Sequence, residues 1–280
     1  GDLTGLAPKS MGEDGQFKYR RLPKDSYKQG IITDIQGFST DNGPGIRTTV
    51  FLKGCALRCP WCHNPETVSS APQILRYADR EIACGRNVSV AALVAEIGED
   101  GEYYRASGGG ATLSGGEPLL QAEGAAFLAK SLRSEGTEVL IDTAGCVPFS
   151  AFEKVMPYAN GFLFDVKACT EEDYARIGGE FFLVRDNFGK LTKAGANVRA
   201  RVPLIPNFND GKEYCEKMCA FLRSLGAEKV DLLPFHRMGS AKYAALGKTY
   251  AYRETPPMSL QRAEEIAAIY KKYFQVKIER

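Results

Sequence analysis

Lys53-Gly54-Cys55-Ala56-Leu57-Arg58-Cys59-Pro60-Trp61-Cys62-His63-Asn64 sets three cysteines at C-x3-C-x2-C spacing directly after a β-rich run, Thr48 to Leu52. A tight loop of this kind directs three thiolates at three corners of one cubane [4Fe-4S] cluster, because cysteinate is the preferred ligand of iron-sulfur centres. The fourth iron is left without a protein ligand. An iron with an open position can chelate the amino and carboxylate groups of a methionine, which places a sulfonium beside a low-potential electron donor. A zinc site would need a fourth protein ligand, for which His63 is the nearby candidate, and structural zinc sites usually pair two-residue spacings. Three unligated thiols at this density would invite oxidation.

Outward from this loop, short β-rich runs alternate with helical patterns. The six main predicted strands are Thr48 to Leu52, Ala111 to Ser114, Thr137 to Ile141, Gly161 to Asp165, Asn197 to Val202 and Lys229 to Leu233. Apolar residues at three- and four-residue spacing predict helices over Val88 to Ile97, Gln121 to Ser134, Ser150 to Met156, Glu171 to Ile177, Phe181 to Ala194, Gly211 to Leu225 and Ser259 to Tyr273. Such alternation means a parallel sheet. Ile31 to Gln36 and Val276 to Glu279 are candidate extra strands at the two ends. Six repeats are too few for an eight-stranded barrel, and polar residues fall at successive strand ends. The expected fold is therefore α/β, a partial (β/α)6 TIM-type barrel rather than a doubly wound sheet. No repeat, low-complexity tract or linker divides the chain. Residues 29–280 are expected to form a single domain, with 1–28 a flexible N-terminal extension whose first residues, Gly1 to Lys9, read as an added leader.

The chain has 280 residues, 44% hydrophobic and 25% charged, enough for one large α/β domain. A net charge of +2 with scattered basic residues gives no reason to expect nucleic acid or a membrane surface as partner. There is no apolar run of about 18 residues, so a soluble, cytoplasmic protein is expected. Three of the eight cysteines lie within one short loop while the rest are dispersed, which favours metal ligation over disulfides. Cys215 and Cys219, at i, i+4 on a predicted helix, read as buried core thiols.

The three-cysteine motif with an aromatic residue before its last Cys resembles the signature of the radical S-adenosylmethionine (SAM) superfamily. Asn42-Gly43-Pro44-Gly45-Ile46-Arg47, Cys62-His63-Asn64-Pro65-Glu66, Leu113-Ser114-Gly115-Gly116-Glu117-Pro118 and Leu232-Leu233-Pro234-Phe235-His236-Arg237-Met238-Gly239 narrow the resemblance to the activating enzymes of glycyl radical enzymes, over roughly residues 30 to 280. The resemblance implies one [4Fe-4S] cluster on Cys55, Cys59 and Cys62, with SAM as its ligand. It also implies a glycyl radical enzyme as protein substrate, and flavodoxin or ferredoxin as electron donor to an oxygen-sensitive, anaerobic, monomeric enzyme. A radical SAM enzyme acting on a small molecule, and a non-catalytic metal-binding scaffold, are the rival readings. Polar groups at successive strand ends speak against the scaffold. Many relatives insert a ferredoxin-like segment after the cluster loop; here that interval carries only Cys84, so auxiliary clusters are not expected.

Barrel enzymes gather their chemistry at the C-terminal strand ends. The candidate residues there are Ser114, Gly115, Gly116 and Glu117 on the second predicted strand, Asp142 and Thr143 on the third, Asp165, Val166 and Lys167 on the fourth, Arg201 on the fifth and His236 after the sixth. Asp165 and Lys167 share a face by the two-residue period of a strand, as do Arg199 and Arg201. Glycines let backbone approach a ligand, and Glu117 suits an amine; read as structure alone, Glu117-Pro118 starts a helix. By resemblance, Trp61, Cys62, His63, the Ser114 to Glu117 segment and Lys167 contact SAM, with Lys167 and His236 close to the chemistry. Asp142, Thr143 and Asp165 would organise a monovalent cation beside its carboxylate, and Arg201 would meet a carboxylate. Asn42, Gly43, Pro44, Gly45 and Arg47 would receive the partner's glycine loop, Asn42 standing where relatives usually carry Asp.

Overall fold

Phe162, Leu163 and Phe164 are consecutive and all buried, the pattern of a parallel strand covered on both faces. The computed structural model describes residues 6–11, 17–21 and 29–279, with side chains from residue 30 onward. Its strands are β1 (Leu6–Met11), β2 (Phe17–Arg21), β3 (Gln29–Ser39), β4 (Arg47–Leu52), β5 (Gln73–Arg76), β6 (Glu81–Cys84), β7 (Arg86–Ser89), β8 (Gly110–Gly115), β9 (Glu138–Thr143), β10 (Gly161–Asp165), β11 (Val198–Leu204), β12 (Lys229–Pro234) and β13 (Gln275–Ile278). Helices α1 (Val90–Gly98), α2 (Gly101–Ser107), α3 (Ala122–Ser134), α4 (Phe149–Val155), α5 (Glu171–Arg176), α6 (Phe181–Lys193), α7 (Lys212–Ser224), α8 (Ser240–Ala245) and α9 (Leu260–Tyr270) lie between them.

The main sheet has nine strands in the order β13-β12-β11-β10-β9-β8-β4-β3-β7. From β4 to β13 every neighbour is parallel, while β3 runs antiparallel to β4 and β7 to β3. The parallel strands follow sequence order without reversal, so the sheet winds one way. A doubly wound sheet would reverse at a switch point. The edge strands β13 and β7 do not pair with each other, and the expected partial barrel is what this topology makes. All six predicted main strands are present. Ile31 to Gln36 lies in β3, which is antiparallel and bulged rather than another parallel repeat.

Amphipathic helices seal the outside. Ala125, Leu128, Ala129 and Leu132 on α3, Cys215, Met218, Cys219 and Leu222 on α7, and Ala263, Ile266, Ala267 and Tyr270 on α9 each form a buried i, i+3, i+4, i+7 stripe. Cys215 and Cys219 are thus core thiols, as expected. Val88 and Ser89, predicted as helical, belong to β7. The helix begins one residue later because the Ser89 hydroxyl accepts the Ala92 N–H and caps it.

The β5–β6 hairpin, β7, α2 and α8 were not predicted; their strands and helices are four to seven residues long, shorter than the window over which periodicity can be read. Within the predicted extension, β1 and β2 pair antiparallel. Residues 1–5, 12–16 and 22–28 of that extension lie outside the described residues, and so does most of the stretch read as a leader.

Candidate active site

At the end of β4 the chain turns into the cysteine loop, whose backbone is pinned from both sides. Gly54 and Cys55 donate to the Thr67 and Val68 carbonyls at 2.7 and 3.1 Å, and the Arg58 N–H donates to Ile177 at 2.7 Å. The Arg58 guanidinium donates to the carbonyls of Cys55, Ala56 and Leu57 at 2.7, 3.2 and 2.8 Å, curling the loop around itself. Leu57 and Trp61 are buried, with the Trp61 ring 4.8 Å from that of Phe208. Between these anchors Cys55, Cys59 and Cys62 stand half-buried and free of disulfides. Burial pushes the Cys55 and Cys59 thiols up to about 12 and raises Cys62 as well. Such thiols hold their protons until a metal displaces them.

The glycines of the Ser114 to Glu117 segment serve the chain's own packing. A Cβ on Gly115 would lie 2.2 Å from the Leu52 carbonyl oxygen, and one on Gly116 2.2 Å from that of Gly54. That closeness lets Gly116 and Glu117 donate to the Leu52 and Gly54 carbonyls at 3.0 and 2.7 Å, locking the β8 end to the root of the cysteine loop. Glu117 is buried. Its carboxylate accepts from the Thr143 hydroxyl at 2.8 Å, the Ala144 N–H at 2.9 Å and the Leu119 N–H at 3.1 Å. The structural role foreseen for Glu117, starting a helix before Pro118, is therefore realised, and Thr143 faces Glu117 rather than the two aspartates.

Burial raises Glu117 from 4.5 to about 7. A carboxyl whose folded pKa is raised binds its proton more tightly when folded, so stability should fall as pH rises from 4.5 and level off above about 7. Replacing the carboxyl with an amide removes this dependence. Between those limits the wild type should lose about 3 kcal/mol relative to Glu117→Gln, read as diverging urea midpoints.

The floor of the site is a charge cluster fixed by register. Asp165 ends β10 and lies opposite Arg201 of β11. Arg201 reaches Asp142 at 3.3 Å and Asp165 at 3.8 Å; Lys167 pairs with Asp165 at 2.5 Å; the Ser114 hydroxyl donates to Asp142 at 2.6 Å. Burial raises Asp142, and Arg201 works against that rise. Burial alone would lower Lys167, but Asp165 and the Cys59 sulfur outweigh it and hold it above its ordinary value. Arg199, on the same face of β11 as Arg201, pairs with Asp231 at 2.8 Å. Val166 is buried and donates its N–H to the Arg201 carbonyl at 2.8 Å.

His63 and His236 stack, ring centroids 3.8 Å apart, and His63 Nε2 lies 3.0 Å from the His236 carbonyl oxygen. A carbonyl only accepts, so Nε2 carries the proton. Burial first, then the neighbouring His236, pushes His63 down to about 4, which makes it neutral at ordinary pH.

Around the Gly-Pro-Gly turn, Asn42 donates to the Ser39 and Thr49 hydroxyls at 3.2 and 3.1 Å. Arg47 is wholly buried and bonds only within the chain. It shapes the turn from below.

Sequence reasoning missed Arg58, Lys242 and Tyr243. Lys242 Nζ is 2.6 Å from Glu66 Oε1 and donates to Asn64 Oδ1 at 2.9 Å, and the Tyr243 hydroxyl donates to the Cys62 carbonyl at 3.0 Å. No periodic signal marks α8. The Glu66 and Asn64 of the quoted motif were the available hint that a cation must meet them.

The donor set fits an iron-sulfur cubane. Three free thiols share one anchored loop. Among the described residues no group of three or more His, Cys, Asp or Glu side chains is gathered closely enough to hold a single metal ion. Asp165 Oδ1 and Arg201 Nε are buried and make no hydrogen bond; they face each other at 3.8 Å, one acceptor and one donor that suit a zwitterionic ligand.

A family model described as a 4Fe-4S single cluster domain matches residues 41–154. The pyruvate formate-lyase 2-activating enzyme of Escherichia coli is 37% identical over 249 residues, covering 81% of this chain and 85% of that protein. The trans-4-hydroxy-L-proline dehydratase activating enzyme of Clostridioides difficile is 33% identical over 288 residues, covering 86% and 95%. Among solved structures, a radical SAM methyltransferase from Sphaerobacter thermophilus superposes with a TM-score of 0.57 at 19% identity over 98% of this chain and 77% of that one, a likeness of fold. With its cysteine loop, its one-way parallel sheet and relatives of this identity over most of its length, the chain belongs to the radical SAM activating enzymes of glycyl radical enzymes.

Proposed function

We propose that residues 29–280 act as a single catalytic domain that cleaves SAM reductively and installs a radical on a glycine of a partner enzyme. The observation that carries this reading is one pinned loop with three free thiols, whose Cys59 sulfur lies within the influence of Lys167 and Asp165 in the Asp142, Asp165, Lys167 and Arg201 cluster. When bound, a [4Fe-4S] cluster supplies one electron to the sulfonium of SAM, so that methionine is released and a 5′-deoxyadenosyl radical removes a hydrogen atom from the glycine Cα.

The chain's own groups bind and orient. Arg201 Nε and Asp165 Oδ1, 3.8 Å apart and without hydrogen bonds, would exchange their mutual ion pair for the SAM carboxylate and amine, and Lys167 holds Asp165 in place. A monovalent cation would take over Asp142 and Asp165 once Arg201 turns toward the ligand. Gly115 and Gly116 fix the β8 end against the cysteine loop, and Trp61, His63 and His236 wall the mouth. The loop Asn42 to Gly45 would receive the partner, and capping by the partner would exclude water and oxygen. Flavodoxin or ferredoxin as donor, a monomeric state and an anaerobic cytoplasmic setting complete the proposal. Among the described residues no helix is long and apolar enough to cross a membrane.

The test is electron paramagnetic resonance on the reduced, reconstituted protein mixed with SAM and candidate glycyl radical enzymes. A stable glycyl radical doublet on one candidate is expected. Release of 5′-deoxyadenosine with no such doublet on any candidate would favour a small-molecule substrate instead.

A further inference from the structure

The segment that follows β12 docks on the residues immediately after Cys62. His236 stacks on His63, and its backbone carbonyl accepts a hydrogen bond from His63 Nε2 at 3.0 Å. Gly239 lies so close to His63 that a Cβ would fall 2.8 Å from its carbonyl oxygen. Tyr243 donates to the Cys62 carbonyl at 3.0 Å. Lys242 meets Asn64 Oδ1 at 2.9 Å and Glu66 Oε1 at 2.6 Å. The Glu66 side chain is only 8% exposed, and its Oε2 is buried with no hydrogen-bond partner. Among the described residues, Lys242 is the cation in ion-pair contact with it.

This places one buried negative charge and one half-buried positive charge beside the third cysteine of the loop. We infer that Lys242 and Glu66 are positioning residues that set the reduction potential of the cluster, by balancing their charges next to Cys62. The inference rests on the cluster reading above. Net charge and hydrogen bonding around an iron-sulfur centre are levers on its potential, and groups that orient a ligand from behind tune the metal it binds. Reduction adds a negative charge to the cluster, so a nearby cation favours the reduced form and a nearby anion disfavours it.

The test is a potential titration of the reconstituted wild type, Lys242→Met, Glu66→Gln and the double variant, followed by the resonance signal of the reduced cluster. That signal comes only from loaded molecules, so a variant that loads poorly still reports its potential. Lys242→Met should lower the reduced-to-oxidised ratio at fixed solution potential about tenfold, about 59 mV for one electron. Glu66→Gln should raise it by a similar factor. The double variant should fall between the two, and Lys242→Arg should match wild type.

A purely mechanical clasp predicts something different, because both single variants break the same contact. Shifts of the same sign in Lys242→Met and Glu66→Gln, or no shift in either, would overturn the inference. A wild-type protein that takes up no iron and sulfide would overturn the cluster reading itself, a failure told apart from the first by metal analysis alone.

Discussion

Cys59→Ala should yield a folded protein that releases no 5′-deoxyadenosine from SAM under dithionite. Folding survives because the loop's anchors lie elsewhere: in the Arg58 guanidinium, in buried Leu57 and Trp61, and in the backbone bonds to Ile177, Thr67 and Val68. The Cys59 side chain is half-buried and takes part in none of these contacts. Its removal should cost no more than about 1 kcal/mol of stability, the range of a partly exposed truncation. The chemistry has no such tolerance. Two thiols leave two irons without a protein ligand, and the binding free energy that must displace raised thiol protons is lost with the third. Iron and sulfide content should fall together with product. Cys219→Ala is the contrast: Cys219 is 1% exposed, on the core stripe of α7. That variant should load its cluster and cleave SAM while unfolding at lower denaturant. Full product from Cys59→Ala would mean that the loop does not carry the electron.

The loop was legible because its signal is covalent and local: three cysteines at fixed spacing need no tertiary contact to be read. The six parallel strands were legible for a related reason, since runs such as Phe162 to Phe164 are apolar enough to be recognised alone. Arg201 and Asp165 could each be named from sequence, but their pairing could not, because it depends on the register of β10 against β11. Glu117 illustrates the opposite limit. Its place in Gly115-Gly116-Glu117-Pro118 suits a ligand's amine and a helix start at once, and its contact with Thr143, which joins residues on two different strand ends, could not be read from either segment. The clasp from α8 was invisible because six residues with one buried side chain, Ala245, carry no period. Only the fold brings Lys242 to Glu66.

Arg47→Ala should be the most destabilising single truncation near the site, by about 3 to 5 kcal/mol. Arg47 lies on β4 with no exposed surface, and burial pushes it down to about 10. Its Nε donates to Thr112 Oγ1 at 2.8 Å, and its terminal nitrogens donate to the carbonyls of Ala111 at 2.6 Å, Pro44 at 3.2 Å and Glu138 at 3.4 Å. Thr112 in turn donates to the Asn42 carbonyl at 2.7 Å, so this guanidinium, with the Asn42 bonds to Ser39 and Thr49, anchors the Asn42 to Gly45 turn. Truncation opens a cavity and strips donors from several buried carbonyls at once. Arg47→Met refills most of the volume without the hydrogen bonds and should recover part of the loss, measured by urea unfolding. The two readouts of function should then separate. The cysteine loop and the Asp142, Asp165 and Arg201 floor do not touch Arg47, so Arg47→Met should still release 5′-deoxyadenosine from SAM. A turn that has lost its anchor should present poorly to a partner, and the yield of glycyl radical should fall well below that of wild type. Equal loss of both would place Arg47 in the support of the SAM site rather than of the turn.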